Sequence, residues 1–134
     1  MSDLLFVYGS LKRGYWNHHY MKDCEFLGEA STYHTEYAMF NVGFPMLLDV
    51  ENLREEDWFL GKYIRGELWI VDNLDRFDRL ENEGSLYDRK ETRVCGQGEI
   101  RYSWVYVGHP DYKDIRYKAP LCYVNSDNEY EWRG

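Results

Sequence analysis

Only one stretch of the 134-residue sequence has the period of an amphipathic helix, and this scarcity limits the folds open to the chain. The stretch is NLDRFDRLENEG, Asn73 to Gly84. Asp72 is a good residue to cap its start, and Gly84 ends it. A doubly wound parallel sheet needs a crossover helix between most of its strands. The sequence therefore favours an α+β fold over a doubly wound one.

Strand-like segments occupy most of the remaining sequence. The first is the unbroken apolar run Leu4 to Val7, which has no polar position and should be covered on both sides. Asn17 to Met21 is predicted as a short helix. The other segments predicted to be extended are CEFLGEASTYHTEYAMF, PMLLDV, YIRGELWIVD and a hairpin of LYDRKETRV and EIRYSWVYV around Gly96-Gln97-Gly98. Strands joined by short turns predict a sheet that curls into a small barrel.

The whole chain, residues 1–134, is predicted to be one domain. Its length is enough to bury a core, and no linker or repeat divides it. Aromatic residues make up 18% of the chain, with 13 tyrosines, which favours strands and pocket walls over a helical bundle. The tail, residues 110–134, is acidic and aromatic without a clear period, so no element is predicted there.

Charge and cysteine content exclude several classes of protein. Twenty-four acidic residues outnumber 16 basic ones, giving a net charge of −8, so a surface that binds nucleic acid is not expected. Cys24, Cys95 and Cys122 are widely spaced and odd in number, as expected of reduced thiols in the cytoplasm. The N-terminus has no basic leader, and its apolar run is too short to span a membrane.

Other polar clusters are given structural interpretations. His18 and His19 are adjacent, project differently and have no third ligand at regular spacing, so no metal site is predicted. The acidic runs 55–57 and 127–131 are predicted to be solvated. A nucleophilic role for Ser10 or a cysteine ranks low, because no histidine partner is evident from the sequence.

The loop VYGSLKRG follows the first strand and is bracketed by Gly9 and Gly14. Gly9 removes the Cβ that would block close approach to the backbone, and Ser10 adds a hydroxyl beside it. One interpretation is an ordinary turn at the end of a strand. The other is a row of N–H groups that holds an anion or a carbonyl oxygen.

Glu81 lies among apolar residues on the predicted helix. At about 100° per residue it falls in the middle of the face that should pack on the sheet. That face comprises Val71, Leu74, Phe77 and Leu80. Burial and the negative end of the helix dipole would both raise the pKa of Glu81, while a cation such as Arg89 would oppose the shift. The carboxyl group is either a general acid/base or a side chain at a fraying helix end.

Five blocks of the sequence, in order and spanning Leu4 to Val107, together resemble one known family. They are VYGSLKRG, NHHYM, FPML, RGELW and FDRLENEGSLYDR. The chain resembles the gamma-glutamylcyclotransferase superfamily, particularly its AIG2-like and gamma-glutamylamine cyclotransferase branch. No block of that family is recognised after Pro110, where the tail could cover or reshape a pocket mouth.

The resemblance implies an α+β fold: a small closed mixed β-barrel with one main flanking helix. It implies that Glu81 is catalytic and that the loop residues Tyr8, Gly9, Ser10 and Leu11 bind the substrate, with Tyr87 near the pocket. The expected reaction converts a small gamma-glutamyl compound to 5-oxoproline and a free amine, with no cofactor and no metal.

Two other classes of function remain open from the sequence. A binding module could use the same pocket to sense a gamma-glutamyl-like ligand without turnover. An interaction protein could use aromatic residues of the tail, including Tyr130 and Trp132, as a partner surface.

Overall fold

A computed structural model describes residues 2–15 and 17–134, and a closed five-stranded barrel forms its centre. The order around the barrel is β1-β7-β6-β2-β5, and β5 pairs again with β1. The barrel is mixed, because β1 and β7 are parallel whereas the other neighbours are antiparallel. The barrel strands are β1 (Asp3–Val7), β2 (Glu25–Thr32), β5 (Tyr63–Val71), β6 (Tyr87–Gly96) and β7 (Glu99–Gly108). The predicted α+β fold with a closed mixed barrel is confirmed.

The apolar run at the start of the chain forms the strand that closes the barrel. Leu5 of β1 lies opposite Trp69 of β5 and opposite Trp104 of β7. Leu5 and Phe6 are fully buried. Polar residues alternate with apolar ones along a strand when one of its faces is exposed to solvent. β1 has a neighbouring strand on each side and no solvent-exposed face, which explains its unbroken apolar sequence.

Three further strands lie outside the closed ring. β3 (Tyr37–Asn41) and β4 (Pro45–Asp49) form a separate antiparallel pair, and β4 packs against β7. β8 (Glu129–Tyr130) runs parallel to the start of β5. The predicted hairpin is present between β6 and β7, and Gln97 and Gly98 at its tip both have positive φ, as a type I′ turn requires.

The helix predicted from Asn73 to Gly84 is shorter in the structure. Helix α1 spans Asp75–Leu80. Asp72 does not cap its start. Instead the Asn73 side-chain oxygen accepts a hydrogen bond from the Asp75 amide at 2.8 Å. Four short 3-10 helices supply the other helical turns of the described chain: His18–Met21, Val50–Asn52, Glu55–Leu60 and Pro110–Tyr117.

Asn82, rather than Gly84, ends α1. Asn82 adopts a φ of 50°, and the following amide of Glu83 donates to the Asp78 carbonyl at 2.9 Å. Asn82 itself donates to the Arg79 carbonyl, which completes a Schellman cap. The short side chain of Asn tolerates the left-handed conformation, so the helix stops two residues before the glycine. Glu81 is thus the last residue before the reversal.

The tail contributes to the core. Tyr130 is fully buried, and its hydroxyl donates to the Leu60 carbonyl at 2.7 Å. Two residues of the acidic runs are also buried, so the prediction that these runs are solvated is wrong at Asp57 and Glu129. Asp57 pairs with Arg116 at 3.0 Å, and the Glu129 carboxylate accepts hydrogen bonds from Asn125 and Ser31. None of the helices in residues 2–15 and 17–134 is long and apolar enough to cross a membrane.

The buried position of Tyr130 predicts that the tail stabilises the barrel. We expect Tyr130→Ala to lower the free energy of unfolding by about 3–5 kcal/mol, because it leaves a large cavity and an unpaired carbonyl. Tyr123→Ala is the control, since Tyr123 lies on the same tail and is 48% exposed. Denaturant unfolding of the three proteins measures the difference, and equal losses for the two variants would contradict this role.

Candidate functional site

A cavity of about 440 Å³ opens between the loop after β1 and the C-terminal end of α1. The turn before β4 and the tail complete its wall. All six residues that the sequence predicts for the site line this one cavity: Tyr8, Gly9, Ser10, Leu11, Glu81 and Tyr87. Residues far apart in the sequence are therefore brought together as the resemblance implies.

The loop after β1 forms a tight turn in which the Lys12 amide donates to the Gly9 carbonyl at 3.0 Å. In the part of the chain that the structure describes, the amides of Ser10 and Leu11 donate to no protein acceptor. The Ser10 hydroxyl oxygen accepts a hydrogen bond from the side-chain amide of Asn17 at 2.8 Å, so the hydroxyl hydrogen can still be donated to a ligand. The turn thus has three hydrogen-bond donors without a protein acceptor in the described chain, on two residues that line the cavity.

Gly9 is required by close packing rather than by an unusual φ. A Cβ at this position would lie 2.8 Å from Cγ of Pro45. The backbone of Gly9 lies outside the left-handed region, unlike that of Gly14, whose φ is 88°. The missing side chain lets the loop approach the turn that leads into β4, and this approach gives the cavity its shape.

Two cations of the loop bind partners other than Glu81. Both the amide and the Nε of Arg13 donate to the buried carboxylate of Glu67, at 3.0 and 3.1 Å. The Lys12 ammonium donates to the Trp132 carbonyl at 3.0 Å. The loop is therefore fixed to the barrel on one side and to the tail on the other.

Glu81 is partly buried at the end of α1, beside Leu80 and Leu86 in the cavity wall. Burial raises the pKa of its carboxyl group from 4.5 to about 7. Arg89 does not oppose this shift, because its guanidinium pairs with Asp78 at 3.3 Å. Glu81 can therefore exchange a proton near neutral pH.

Three tyrosines surround the carboxyl group. The Tyr8 hydroxyl donates to the Tyr106 carbonyl at 2.6 Å, and that of Tyr87 donates to the Pro45 carbonyl at 2.9 Å. The Tyr106 hydroxyl donates to Asp78 at 2.7 Å. Burial, chiefly, raises the pKa of all three phenols, and the charge of Glu81 adds to the shift. The three phenols therefore remain neutral hydrogen-bond donors, and Glu81 is the carboxyl group that titrates near neutral pH.

Several cavity residues were missed by the sequence analysis. Tyr106 belongs to the alternating face of Tyr102, Trp104 and Tyr106, which begins in solvent and ends at the cavity. The alternation of aromatic residues predicted that they share one face of β7, but it did not predict that Tyr106 is buried at the cavity. Tyr15, Asn17, Phe44, Leu86, Trp132 and Gly134 also line the cavity. Trp132 had no local signal, because the tail has no period.

The histidine and cysteine predictions can be compared with the structure. Among the described residues, no three or more His, Cys, Asp or Glu side chains are placed to hold a metal ion. His18 bonds the Leu11 carbonyl through Nδ1 at 3.1 Å and packs on Trp69. Cys24, Cys95 and Cys122 are free thiols, and none of them lines the cavity.

Comparison with known proteins identifies the same family along nearly the whole chain. Residues 5–131 match the family described as "Gamma-glutamyl cyclotransferase, AIG2-like". The match includes most of the tail, where no family block was recognised from the sequence. The match therefore extends over residues 110–131 of the tail.

Two relatives and one solved structure agree with this match. A Methanocaldococcus jannaschii protein assigned to the gamma-glutamylcyclotransferases is 33% identical over 127 residues, covering 85% of this chain and 98% of the relative. The gamma-L-glutamyl-butirosin B gamma-glutamyl cyclotransferase of Niallia circulans is 30% identical, covering 84% of this chain and 72% of the relative. An AIG2-like protein from Mus musculus has the same fold, with a TM-score of 0.74 and 23% identity over 97% of this chain and 95% of that one.

The raised pKa of Glu81 predicts a pH-dependent stability. Between pH 4.5 and about 7 the folded chain holds this proton while the unfolded chain releases it, so the free energy of unfolding falls as the pH rises. Glu81→Gln removes the ionisable group, so its free energy of unfolding should not show this fall. We therefore expect the difference in the free energy of unfolding between the variant and the parent to increase by up to about 3 kcal/mol from pH 4.5 to pH 8. Denaturant unfolding at both pH values measures this gain. Glu83→Gln is the control, and a gap between Glu81→Gln and the parent that stays constant with pH would contradict the prediction.

Proposed function

We propose that this chain, which belongs to the AIG2-like gamma-glutamyl cyclotransferase family, converts a small gamma-glutamyl amine or amino acid to 5-oxoproline and a free amine. The observation that carries the proposal is the shared cavity of Glu81 and the amide-bearing loop. One supplies a carboxyl group that titrates near neutrality, and the other supplies hydrogen-bond donors without a positive charge.

The reaction is an intramolecular aminolysis. A gamma-glutamyl compound carries both its α-amine and its γ-carbonyl, so the protein has to fold one onto the other and move protons. Glu81 accepts a proton from the α-ammonium group, and the amine nitrogen then attacks the γ-carbon. The bond from the γ-carbon to the leaving nitrogen breaks as Glu81 returns the proton to that nitrogen. The ring nitrogen then loses its second proton to the released amine, which departs as an ammonium ion. The products are 5-oxoproline and the amine.

The loop supports this chemistry by binding the glutamyl half. The amides of Ser10 and Leu11 and the hydroxyl of Ser10 are donors for a carboxylate or for the oxyanion that develops on the γ-carbonyl. Amides in a partly buried cavity keep their orientation during the reaction, and their hydrogen bonds are stronger there than in water. The proposed mechanism assigns no step to a metal or a cofactor.

The relatives support a common glutamyl half with a variable leaving half. The Niallia circulans relative is named for a gamma-glutamyl derivative of butirosin B. If the reacting half is shared, this chain needs the same proton transfer whichever amine it releases. A panel of gamma-glutamyl amides and dipeptides, assayed for 5-oxoproline release, tests the proposal directly. Binding of these compounds without turnover would instead favour a ligand-binding module.

Glu81→Gln is expected to lower turnover by at least about a hundredfold while the protein stays folded. Gln keeps nearly the shape of Glu but cannot accept the α-ammonium proton. Glu83→Gln is the matched control, because Glu83 lies two residues away, is exposed and does not line the cavity. Assays of 5-oxoproline release on both variants and the parent decide the point. Turnover near the parental value in a folded Glu81→Gln protein would remove Glu81 from the mechanism.

Gly9→Val is expected to raise KM at least about tenfold, because small displacements of a positioning loop are costly. Its Cβ would lie 2.8 Å from Cγ of Pro45, so either the loop or the start of β4 has to move. Gly14→Asn is the control in the same loop, because asparagine tolerates the left-handed φ of 88°, a Cβ there meets no atom within 4 Å, and Gly14 does not line the cavity. Steady-state kinetics of the folded variants provide the test, and an unchanged KM in Gly9→Val would exclude the loop from the binding site.

A further inference from the structure

Asp78 lies on α1 three residues before Glu81, and the proposed reaction gives it no role. The Glu81 amide still donates to the Phe77 carbonyl at 2.9 Å, so the helical turn continues as far as Glu81. Side chains three residues apart on a helix are neighbours, with Cβ atoms about 5–6 Å apart. The Asp78 carboxylate is partly buried but does not line the cavity. A second carboxylate therefore lies beside Glu81 without taking part in the proton transfer.

One oxygen of the Asp78 carboxylate has two partners. Its Oδ1 accepts a hydrogen bond from the Tyr106 hydroxyl at 2.7 Å and pairs with Nε of Arg89 at 3.3 Å. The Arg89 guanidinium also lies 4.8 Å from the centre of the Trp104 ring, within range of a cation–π interaction. Asp78 thus connects the last turn of α1 with one residue of β6 and one of β7.

Arg89 is close to Glu81 but does not pair with it. Arg89 and Tyr87 are two residues apart on β6, so they share the face of the strand on which Tyr87 lines the cavity. The charges of Arg89 and Glu81 both act on the Tyr106 phenol, where the first lowers the pKa and the second raises it. In residues 2–15 and 17–134, no cation forms an ion pair with the Glu81 carboxyl group. The cation nearest to hand is therefore bound by Asp78 instead.

The other titratable side chains that line the cavity are phenols. Among the described residues they are Tyr8 and Tyr15 of the loop after β1, Tyr87 of β6 and Tyr106 of β7. Phenols are uncharged at neutral pH. They can donate hydrogen bonds, but they cannot act as a counter-ion for a carboxylate.

The remaining charged side chains of the loop, α1 and this part of β6 do not line the cavity. Those with a partner of their own are Lys12 with the Trp132 carbonyl, Arg13 with Glu67, and Arg76 with Cys24. Those that are exposed are Asp75, Arg79 and Glu83. Asp88 and Lys90 flank Arg89 in sequence, so their side chains point to the opposite face of β6. Asp78 and Arg89 are thus the pair of opposite charges beside Glu81.

We propose that Asp78 is a positioning residue for Glu81, because it binds the Arg89 guanidinium and so leaves the general base of the proposed reaction without a counter-ion. Without the Asp78 carboxylate, Arg89 would keep its charge, and the Glu81 carboxylate would be available as its new partner. A carboxylate that is stabilised by a guanidinium is a weaker base. Asp78 acts through Arg89 and does not touch the substrate. This inference rests on the proposed function, because it takes Glu81 as the general base.

Three variants change the two charges one at a time and together. Asp78→Asn leaves the Arg89 charge unpaired and should lower the pKa of Glu81 by about 1, because a nearby cation stabilises the carboxylate. Arg89→Gln leaves the Asp78 charge unpaired and should raise the pKa of Glu81 by a similar amount. The double variant Asp78→Asn/Arg89→Gln carries neither charge, so its Glu81 should titrate close to the parental pKa.

Two measurements report this pKa. The first is kcat/KM for 5-oxoproline release from a gamma-glutamyl amide, which rises with pH through the pKa of the base in the free enzyme. The second is NMR titration of the Glu81 carboxyl carbon, assigned by its loss in Glu81→Gln, which needs no substrate. Asp75→Asn is the matched control, because it removes the same charge from an exposed position on α1 and should leave the pKa of Glu81 unchanged. Thermal unfolding confirms that each variant is folded.

Opposite shifts in the two single variants, with a return in the double variant, would support the inference. An unchanged pKa in both single variants would overturn it. A shift that persists in the double variant would also overturn it, since the shift would then arise from altered packing rather than from charge. If Asp78→Asn does not fold, a raised pKa in Arg89→Gln and its return in the double variant decide the point. If the parent releases 5-oxoproline from no compound, the proposed reaction fails, and the NMR titration still tests whether Asp78 controls Glu81.

Discussion

The site depends on one constraint: in residues 2–15 and 17–134, no cation forms an ion pair with the Glu81 carboxyl group. Arg89 pairs with Asp78, Arg13 pairs with Glu67, and the Lys12 ammonium donates to the Trp132 carbonyl, so each of these three cations has a partner other than Glu81. Had one of them reached Glu81, the carboxylate would be stabilised and its pKa would fall, which would weaken it as a base. Burial without a counter-ion instead raises the pKa to about 7. The ion pairs around the cavity therefore help to keep the pKa of Glu81 high.

The closure of the barrel puts the parts of this site together. β1 lies between β5 and β7, so the loop that follows β1 emerges beside both strands. β5 carries Glu67, which binds that loop, and leads directly into α1, which ends at Glu81. β7 carries Tyr106, whose carbonyl and hydroxyl connect Tyr8 with Asp78. A loop and a helix end separated by about seventy residues in the sequence thus share one cavity because their strands are neighbours.

Features of the fold and the site could be predicted from the sequence where they depend on a short-range pattern, or on a single residue that departs from one. The apolar run of β1, the turn at Gln97 and Gly98, and the carboxylate of Glu81 on an apolar face could each be recognised from short-range patterns. The end of α1 was misplaced, because Asn82 can adopt the left-handed conformation almost as glycine does. The buried Asp57 and Glu129 were misjudged for a different reason. Their partners, Arg116 and Ser31, are distant in sequence. The local sequence of an acidic run therefore does not show whether a carboxylate in it is solvated or paired in the fold.

The least predictable part of the site is residues 129–134, which have no periodic pattern because each of them contacts a different neighbour. Tyr130 packs in the core, Glu129 bonds Ser31 and Asn125, and the Trp132 carbonyl receives Lys12 and Tyr15. Glu81 and the loop after β1, by contrast, come from two short motifs whose positions are set by the barrel strands. The tail is nevertheless coupled to that loop, because the Lys12 ammonium and the Tyr15 hydroxyl both donate to the Trp132 carbonyl.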